Sequence, residues 1–239
     1  MRDYEKETKQ RVQFIQDLLG ETKAEGIVFG SSGGKDSALL GILARMATPN
    51  VLGVIMPCES SVNFGLDRDD ALLLGQTYDI KHIEVDLTQT KATFLSAANE
   101  ELNPSVSINI APRLRMAMLY SLANNRNYLV AGTSNRSETY MGYFTKWGDG
   151  ACDFNVISDL TVTEIYEFLR HLGAPETFYT KAPSAGLYEG QTDEEDMGIS
   201  YADIDKFLIS GDLVPGMEKI LGANRKSAHK RLPILRFKP

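Results

Sequence analysis

Cysteine is scarce in this 239-residue chain, and long hydrophobic runs are missing from it. Cys58 and Cys152, the two cysteines, lack the spacing of a metal-binding pair, so we interpret them as reduced structural thiols. No segment approaches the roughly 18 uninterrupted apolar residues of a membrane span. The first residues of the chain carry no signal-peptide core. These absences predict a cytoplasmic protein that does not enter a membrane.

A net positive charge is also lacking, because 32 acidic residues outnumber 25 basic ones and give a formal charge of −7. A general nucleic-acid binder usually carries a basic domain, so we expect no nucleic-acid partner. The basic residues that do cluster lie at the end of the chain, where residues 225–239 contain no acids. Composition alone favours a solvated tail for this stretch.

A Walker A loop, the phosphate-binding motif of many ATPases, is absent as well. Phe29 stands where the first glycine of that motif would be. Asp36, rather than serine or threonine, follows Lys35. The chain therefore lacks the loop that is typical of γ-phosphoryl transfer.

The sequence Ser-Gly-Gly-Lys-Asp-Ser at residues 32–37 stands in that place, between a short apolar strand and a helix. Two adjacent glycines let the backbone turn sharply and bring N–H groups close to phosphate oxygens, and the helix start directs its positive dipole end at the same anion. The hydroxyls of Ser32 and Ser37 can donate to the phosphates, and Asp36 can hold a hard cation. We predict a loop that binds ATP for attack at the α-phosphorus, as in the ATP pyrophosphatase group.

The hydrophobic pattern alternates strands and helices along the chain, without repeats. It predicts strands at residues 27–29, 51–56, 82–85 and 128–131, and helices at about residues 4–19, 35–46, 67–78, 112–124 and 162–172. Strands separated by helices indicate an α/β fold, with a doubly wound parallel sheet flanked by helices. We expect residues 1–239 to form a single domain.

Ligands of such a sheet bind at the carboxyl ends of its strands. This rule places the loop at residues 32–37, the segment after Met56 and the segment after Ala131 around one crevice. The last segment contains Thr133 and Glu138, which are expected to face Asp36. Two carboxylates from different loops suit Mg²⁺, which keeps several waters and joins protein oxygens to phosphates. We therefore predict a magnesium site on Asp36 and Glu138.

Other polar residues receive simpler interpretations. The glycine-rich segment at residues 142–153 mixes aromatic residues with one lysine and two aspartates, a composition that suits a flat anionic ring. Thr161 opens a helix as part of a capping box. We interpret His82 as a strand-end residue and His171 as a surface residue near a helix end.

Taken together, these residues resemble the ammonia-dependent NAD synthetases, from about residue 11 to residue 234. The loop alone would mark only the wider ATP pyrophosphatase superfamily. The motifs that carry the narrower resemblance follow in family order at residues 109–116, 132–138, 142–153, 181–187, 190–198 and 229–231. The resemblance implies an adenine-nucleotide alpha-hydrolase-like fold and a homodimer that binds deamido-NAD across its interface.

The resemblance also implies a two-step reaction. The nicotinate carboxylate of deamido-NAD attacks the α-phosphorus of ATP, and ammonia then displaces AMP to give NAD. ATP binding is assigned to Gly30, Ser31, Ser32, Gly33, Gly34, Lys35, Asp36, Ser37, Thr133 and Ser184, and the catalytic Mg²⁺ to Asp36 and Glu138. Deamido-NAD binding is assigned to Arg113, Lys146, Asp153, His229 and Lys230. No side-chain nucleophile is required, which agrees with the lack of a Ser-His or Cys-His pair at a recognisable spacing.

The chain departs from the family pattern at Val162, where members usually carry a lysine that contacts an ATP phosphate. Either Lys35 or Lys181 compensates for this change, or ATP binds more weakly than usual. Gly186 also stands where many relatives have aspartate, and we infer no loss of activity from it.

Free ammonia is the expected nitrogen donor, because 239 residues leave no room for the hydrolase domain of glutamine-dependent relatives. A separate glutaminase subunit stays possible. Two other functions stay open, namely another ATP-pyrophosphatase amide ligase or tRNA-thiolating enzyme, and a non-catalytic nucleotide sensor. Residues 181–198, with four consecutive acids at 193–196, are interpreted as a mobile cover over the site or as a solvated loop.

Overall fold

The computed structural model of this protein describes residues 2–59, 64–100, 102–181, 183–184, 192–234 and 236–237. In these residues four parallel strands form one sheet in the order β3-β2-β1-β4, with β1 at Gly26–Gly30, β2 at Val51–Ile55, β3 at Lys81–Glu84 and β4 at Tyr128–Val130. Ile27 of β1 lies opposite both Val51 of β2 and Leu129 of β4. The predicted parallel sheet is confirmed.

Helices connect and flank these strands. They are α1 (Tyr4–Thr22), α2 (Lys35–Ala47), α3 (Leu66–Tyr78), α4 (Thr88–Ala97), α5 (Pro104–Arg126), α6 (Arg136–Met141), α7 (Val162–His171), α8 (Thr177–Thr180), α9 (Asp193–Met197), α10 (Tyr201–Ser210), α11 (Met217–Lys226) and α12 (Ala228–Arg231).

The side chains of β1 alternate between two hydrophobic cores, because successive residues of a strand point to opposite faces. Ile27 and Phe29 enter one core together with side chains of α1, α2 and α7. Val28 enters the other core, which contains side chains of α5. Helices therefore cover both faces of the sheet, as expected for a doubly wound fold.

The hydrophobic pattern predicts five of the twelve helices in the described residues, so α4, α6 and α8 to α12 are additions to it, and the start of α5 also differs. Helix α4 was not predicted, because its apolar residues form no clear inward stripe and Phe94 is about half exposed. Helix α5 begins at Pro104, eight residues before the predicted start, and contains Pro112 in its interior. Proline usually marks a helix start, since it lacks an N–H and clashes with the preceding turn. The turns before Pro112 expose Val106 and Ile108, so no amphipathic pattern reveals them.

The strand order places a switch point between β1 and β4. The chain leaves β1 toward β2 on one side of the sheet, whereas β4 adds on the other side. A crevice opens at the carboxyl ends of strands at such a point. In the described part of the chain, no helix has the length and apolar character needed to cross a membrane.

Candidate active site

A cavity of about 820 Å³ lies at the carboxyl ends of β1, β2 and β4. Its walls include the loop after β1, residues 54–57 at the end of β2 and residues 130–134 at the end of β4. The predicted crevice is therefore present. All ten residues that the family resemblance assigns to ATP line this cavity: Gly30, Ser31, Ser32, Gly33, Gly34, Lys35, Asp36, Ser37, Thr133 and Ser184.

The loop after β1 turns through Gly33, whose φ of +74° is left-handed. A side chain there would also collide with α3, because a Cβ on Gly33 would lie 2.2 Å from the Asp67 carbonyl oxygen. Gly34 is the N-cap of α2 and donates its N–H to Ser32 Oγ at 3.3 Å. Helix α2 thus begins inside the cavity wall, where its first N–H groups can meet an anion.

The two predicted metal ligands lie close together and share a lysine. Lys35 Nζ is 2.8 Å from Asp36 Oδ2 and 3.8 Å from Glu138 Oε1. All three side chains are largely buried, with 7% of Lys35, 16% of Asp36 and 17% of Glu138 exposed. The structure thus brings Glu138, at the start of α6, to the loop that contains Asp36.

The charges of this cluster shift the ionisation of its members. Burial raises the pKa of Glu138 well above its usual value, and the neighbouring Asp36 carboxylate adds to this effect. Burial by itself would lower the pKa of Lys35, but the carboxylates of Asp36 and Glu138 outweigh it, so the pKa of this ammonium is raised. Lys35 is therefore a permanent positive charge in the site.

Asn135, which has no predicted role, joins Asp36 to Glu138. Its side-chain oxygen caps α6 by accepting from Glu138 N, and Glu138 Oε2 accepts from Asn135 N in return. The Asn135 side-chain amide donates to Asp36 Oδ1 at 3.0 Å. The capping pattern of Asn135 and Glu138 is visible in the sequence, but the contact with Asp36 is not.

Asp36 and Glu138 fit Mg²⁺, which often takes one or two protein carboxylates and completes its shell with waters and substrate phosphates. Burial and the neighbouring Asp36 carboxylate both raise the pKa of Glu138, so a cation bound between the two groups would stabilise the charged form of Glu138. Among the residues the structure describes, no group of three or more Asp, Glu, His or Cys side chains could hold a metal without further ligands. The donor set therefore fits an ion that arrives with phosphate oxygens.

Val162 and Lys35 have a common neighbour. Val162 is 2% exposed and packs in a cluster with Ile199 and Tyr201. Lys35 Nζ lies 5.5 Å from the centre of the Tyr201 ring. Lys181 is held elsewhere on the cavity wall, where its Nζ lies 2.8 Å from both Asp67 and Asp70. Of the two lysines considered as compensation for Val162, Lys35 is the one beside Asp36.

The structure brings only some of the five residues assigned to deamido-NAD close together. Lys230 lines the cavity and donates to the carbonyl oxygens of Gly142 and Phe144, each at 2.7 Å. Lys146 donates to the backbone carbonyl of His229. Arg113 and His229 are exposed. Of these four residues, Lys230 is the one that lines the cavity.

Asp153 stands apart from that group. Its Oδ2 accepts from Val130 N at 2.8 Å, and its Oδ1 accepts from the Tyr120 hydroxyl at 3.2 Å. Its carboxylate therefore accepts a hydrogen bond from the last residue of β4. The deamido-NAD contact assigned to Asp153 stays a prediction.

His82 is the second residue of the four-residue strand β3, which agrees with its interpretation as a strand-end residue. The prediction missed its contact, because Nε2 of the His82 ring is 2.9 Å from Ser31 Oγ. Sequence spacing could not show this Ser-His pair, because 51 positions separate the two residues. His171 is exposed at the last residue of α7, as predicted, and Thr161 caps α7 with Glu164.

Several sequence predictions fall outside the described residues. Gly186 belongs to this group, as do residue 182 and residues 185–191 of the segment 181–198 that was interpreted as a mobile cover or a solvated loop. The described end of that segment is α9, where Asp193 is buried and accepts from the Tyr201 hydroxyl at 3.0 Å. Asp196 accepts from the Tyr143 hydroxyl at 2.8 Å, which joins α9 to the cavity wall.

Comparison with known proteins shows which family shares this sequence and fold. A family model described as NAD synthase matches residues 7–232. A curated relative from Carboxydothermus hydrogenoformans, named NH(3)-dependent NAD(+) synthetase, is 44% identical over 96% of this chain and 96% of its own length.

Solved structures agree with this match. The structure of NMN synthetase from Francisella tularensis superposes with a TM-score of 0.92 at 36% identity, covering 100% of this chain and 99% of the other. An NH3-dependent NAD synthetase from Campylobacter jejuni superposes with a TM-score of 0.81 at 31% identity, covering 99% of this chain and 100% of the other.

Proposed function

The chain belongs to the NAD synthase family, and we propose that it uses ATP and free ammonia to convert deamido-NAD to NAD, AMP and pyrophosphate. The observation that carries this proposal is the juxtaposition of the phosphate-binding loop with Lys35, Asp36 and Glu138 in one cavity. Curated relatives similar over most of the chain are named NH(3)-dependent NAD(+) synthetase, which supports ammonia as the nitrogen donor.

The first step forms an acyl adenylate. A carboxylate oxygen of the nicotinate ring bonds to the α-phosphorus of ATP, and the bond from that phosphorus to the β-phosphate oxygen breaks, so pyrophosphate leaves. In this proposal the N–H groups at the start of α2 bind the phosphates, and the hydroxyls of Ser32 and Ser37, whose oxygens lie 3.2 Å apart, add hydrogen bonds. Lys35 provides a fixed positive charge as negative charge builds on the departing pyrophosphate.

The second step forms the amide. Ammonia bonds to the carbonyl carbon of the acyl adenylate and loses a proton, and AMP leaves with the oxygen that joined it to the carboxyl carbon. The protein needs no nucleophile of its own for either step, so its contribution is to align the carboxylate with the α-phosphorus.

Magnesium belongs to this proposal, with Asp36 and Glu138 as its protein ligands. When bound, it would neutralise charge on the phosphates. Asn135 fixes Asp36 through its amide and Glu138 through the helix cap, so both carboxylates are held in place.

A homodimer and a cytoplasmic location are also parts of the proposal. Arg113 and His229 are exposed in a single chain and are adjacent in sequence to Pro112 and Lys230, which line the cavity. A dinucleotide that lay across two chains could reach such residues from both. The exposed apolar side chains Phe94, Val106 and Ile108 on α4 and α5 offer surface for this contact.

The test is an incubation of the purified protein with ATP, Mg²⁺, ammonium and deamido-NAD, with NAD and AMP measured together. Equal amounts of both products are expected. A nucleotide sensor would make neither product, and a different ATP-pyrophosphatase ligase or a tRNA-thiolating enzyme would make no NAD.

A second candidate substrate is nicotinate mononucleotide. The structural match to the NMN synthetase of Francisella tularensis, with its TM-score of 0.92, favours this alternative. The same chemistry would then give NMN. Parallel assays that compare kcat/KM for deamido-NAD and nicotinate mononucleotide, at fixed ATP and ammonium, decide between the two. We expect the higher value for deamido-NAD, and a higher value for the mononucleotide would replace the first proposal.

A further inference from the structure

A histidine that belongs to no predicted motif is built into the base of the phosphate-binding loop. The His82 ring reaches from β3 across the neighbouring strand β2. It lies against Gly53 of β2 and Gly75 of α3, where an added Cβ would lie 2.3 Å and 2.5 Å from a ring nitrogen. The edge of the ring also meets Phe29, with centroids 6.4 Å apart and planes at 80°. Glycines on two different elements thus leave the slot that the ring fills.

The hydrogen bonds of this ring define its tautomer. Nδ1 lies 3.0 Å from the Ile80 carbonyl oxygen, which can only accept, so Nδ1 carries the proton. Burial lowers the pKa of His82 and favours the neutral ring. Nε2 of a neutral ring is then an acceptor, and the Ser31 hydroxyl donates to it at 2.9 Å.

Ser31 is the first residue after β1 and begins the loop. It is 3% exposed, and its N–H donates to the Val54 carbonyl oxygen at 2.9 Å. Ser31 also lines the cavity. The Ser31 hydroxyl donates its hydrogen to His82, so the Ser31 side chain is held against β3. The next residues, Ser32 and Gly33, line the cavity.

We propose that His82 is a positioning residue for ATP binding, which acts through Ser31 to hold the first turn of the phosphate-binding loop in its binding conformation. This inference rests on the proposed function, because it concerns the ATP site of that reaction. Physically, a loop that is already ordered loses less conformational freedom when the nucleotide binds. Loss of the anchor should therefore weaken ATP binding more than it slows the chemical step.

The test compares four single variants, one of them a control, and the double variant His82→Leu/Ser31→Ala by the KM for ATP, kcat and the thermal midpoint. His82→Leu removes both ring nitrogens, and His82→Gln keeps a polar group that can reach Ser31. Ser31→Ala removes the partner. His171→Gln is the matched control, because that histidine is exposed at the far end of α7.

We expect His82→Leu and Ser31→Ala each to raise the KM for ATP about fivefold, the effect of one neutral hydrogen bond, with kcat changed less than twofold. The double variant should show no further rise, since both changes remove the same bond. His82→Gln should raise the KM for ATP much less than His82→Leu does, and His171→Gln should have the KM of the wild type.

A purely structural role for His82 gives a different pattern. Ser31→Ala would then leave the KM for ATP unchanged, and the effects of His82→Leu would be as large with Ser31→Ala as without it. Either result overturns the proposal. If His82→Leu does not fold, Ser31→Ala and His82→Gln still test the proposal. An unchanged KM for ATP in Ser31→Ala would show that the hydrogen bond from Ser31 to His82 does not support ATP binding. Wild-type product formation is measured separately, so absence of NAD synthesis would be recognised as failure of the proposed function.

Discussion

The side-chain amide of Asn135 donates a hydrogen bond of 3.0 Å to the carboxylate of Asp36, across 99 positions of sequence. This bond joins the loop after β1 to the helix that follows β4. Asn135 is completely buried and also caps α6, the helix that carries Glu138. One residue therefore sets the positions of both proposed magnesium ligands.

Replacing Asn135 by serine separates its two roles. Serine is also a good N-cap, so α6 keeps its cap, whereas the donor to Asp36 is lost. A hydrogen bond to a charged group contributes about 1.5–3 kcal/mol, so we expect kcat/KM for ATP to fall roughly tenfold to a hundredfold. Steady-state kinetics and thermal unfolding are measured together. A kcat/KM that stays at the wild-type value would show that the bond to Asp36 has no functional role.

Lys35 is expected to act as the resident counter-ion of the carboxylate cluster. Lys35→Met should leave Asp36 and Glu138 close together without compensation, so the thermal midpoint should fall by several degrees. Added Mg²⁺ should restore part of this loss, because it can supply the missing positive charge. Thermal unfolding with and without Mg²⁺ measures both effects.

Lys91 provides the control for that experiment. It is also buried and pairs with a single carboxylate, that of Glu59, at 2.6 Å. Lys91→Met should lower the thermal midpoint, but Mg²⁺ should not restore it. Equal recovery of both variants would contradict a specific magnesium site beside Lys35.

Val162→Lys tests whether the chain lacks a phosphate contact. In the wild-type background the new ammonium would enter the packed cluster around Tyr201, where Lys35 already supplies a positive charge. We expect a less stable protein with no decrease in the KM for ATP. In the Lys35→Met background the same change should lower that KM. A lower KM from Val162→Lys alone would mean that Lys35 does not compensate.

Lys230 and His229 should behave differently although they are adjacent. Lys230 donates to two carbonyl oxygens of the segment from Gly142 to Phe144, so Lys230→Met should reduce both stability and kcat/KM for deamido-NAD. The His229 side chain is exposed, so His229→Ala should change only the kinetics. Thermal midpoints of the two variants provide the comparison, and an equal loss of stability in both would refute the distinction.

Much of the fold was predictable, because its signals are local. The strands are short apolar runs, and the glycines of the loop mark the turn between β1 and α2. Helix α5 was predicted too short, since Pro112 resembles a helix start and the preceding turns expose their apolar residues. Tertiary packing determines that part of the helix, and the sequence shows no amphipathic pattern there.

The site was predictable where its residues lie in recognisable motifs at the ends of neighbouring strands. Asp36 lies in the loop and Glu138 begins a capped helix after β4, so topology alone brought them together. The contacts of Asn135 with Asp36 and of His82 with Ser31 link distant parts of the chain. Their residue types have common structural roles elsewhere, so only the folded arrangement reveals them.

The central claim is that a nicotinate carboxylate attacks the α-phosphorus of ATP in this cavity. Deamido-NAD labelled with a heavy oxygen isotope in its carboxyl group tests it directly, with mass spectrometry of the products. We predict that one labelled oxygen appears in the phosphate of AMP and none in pyrophosphate. Unlabelled AMP, or label in pyrophosphate, would contradict the claim.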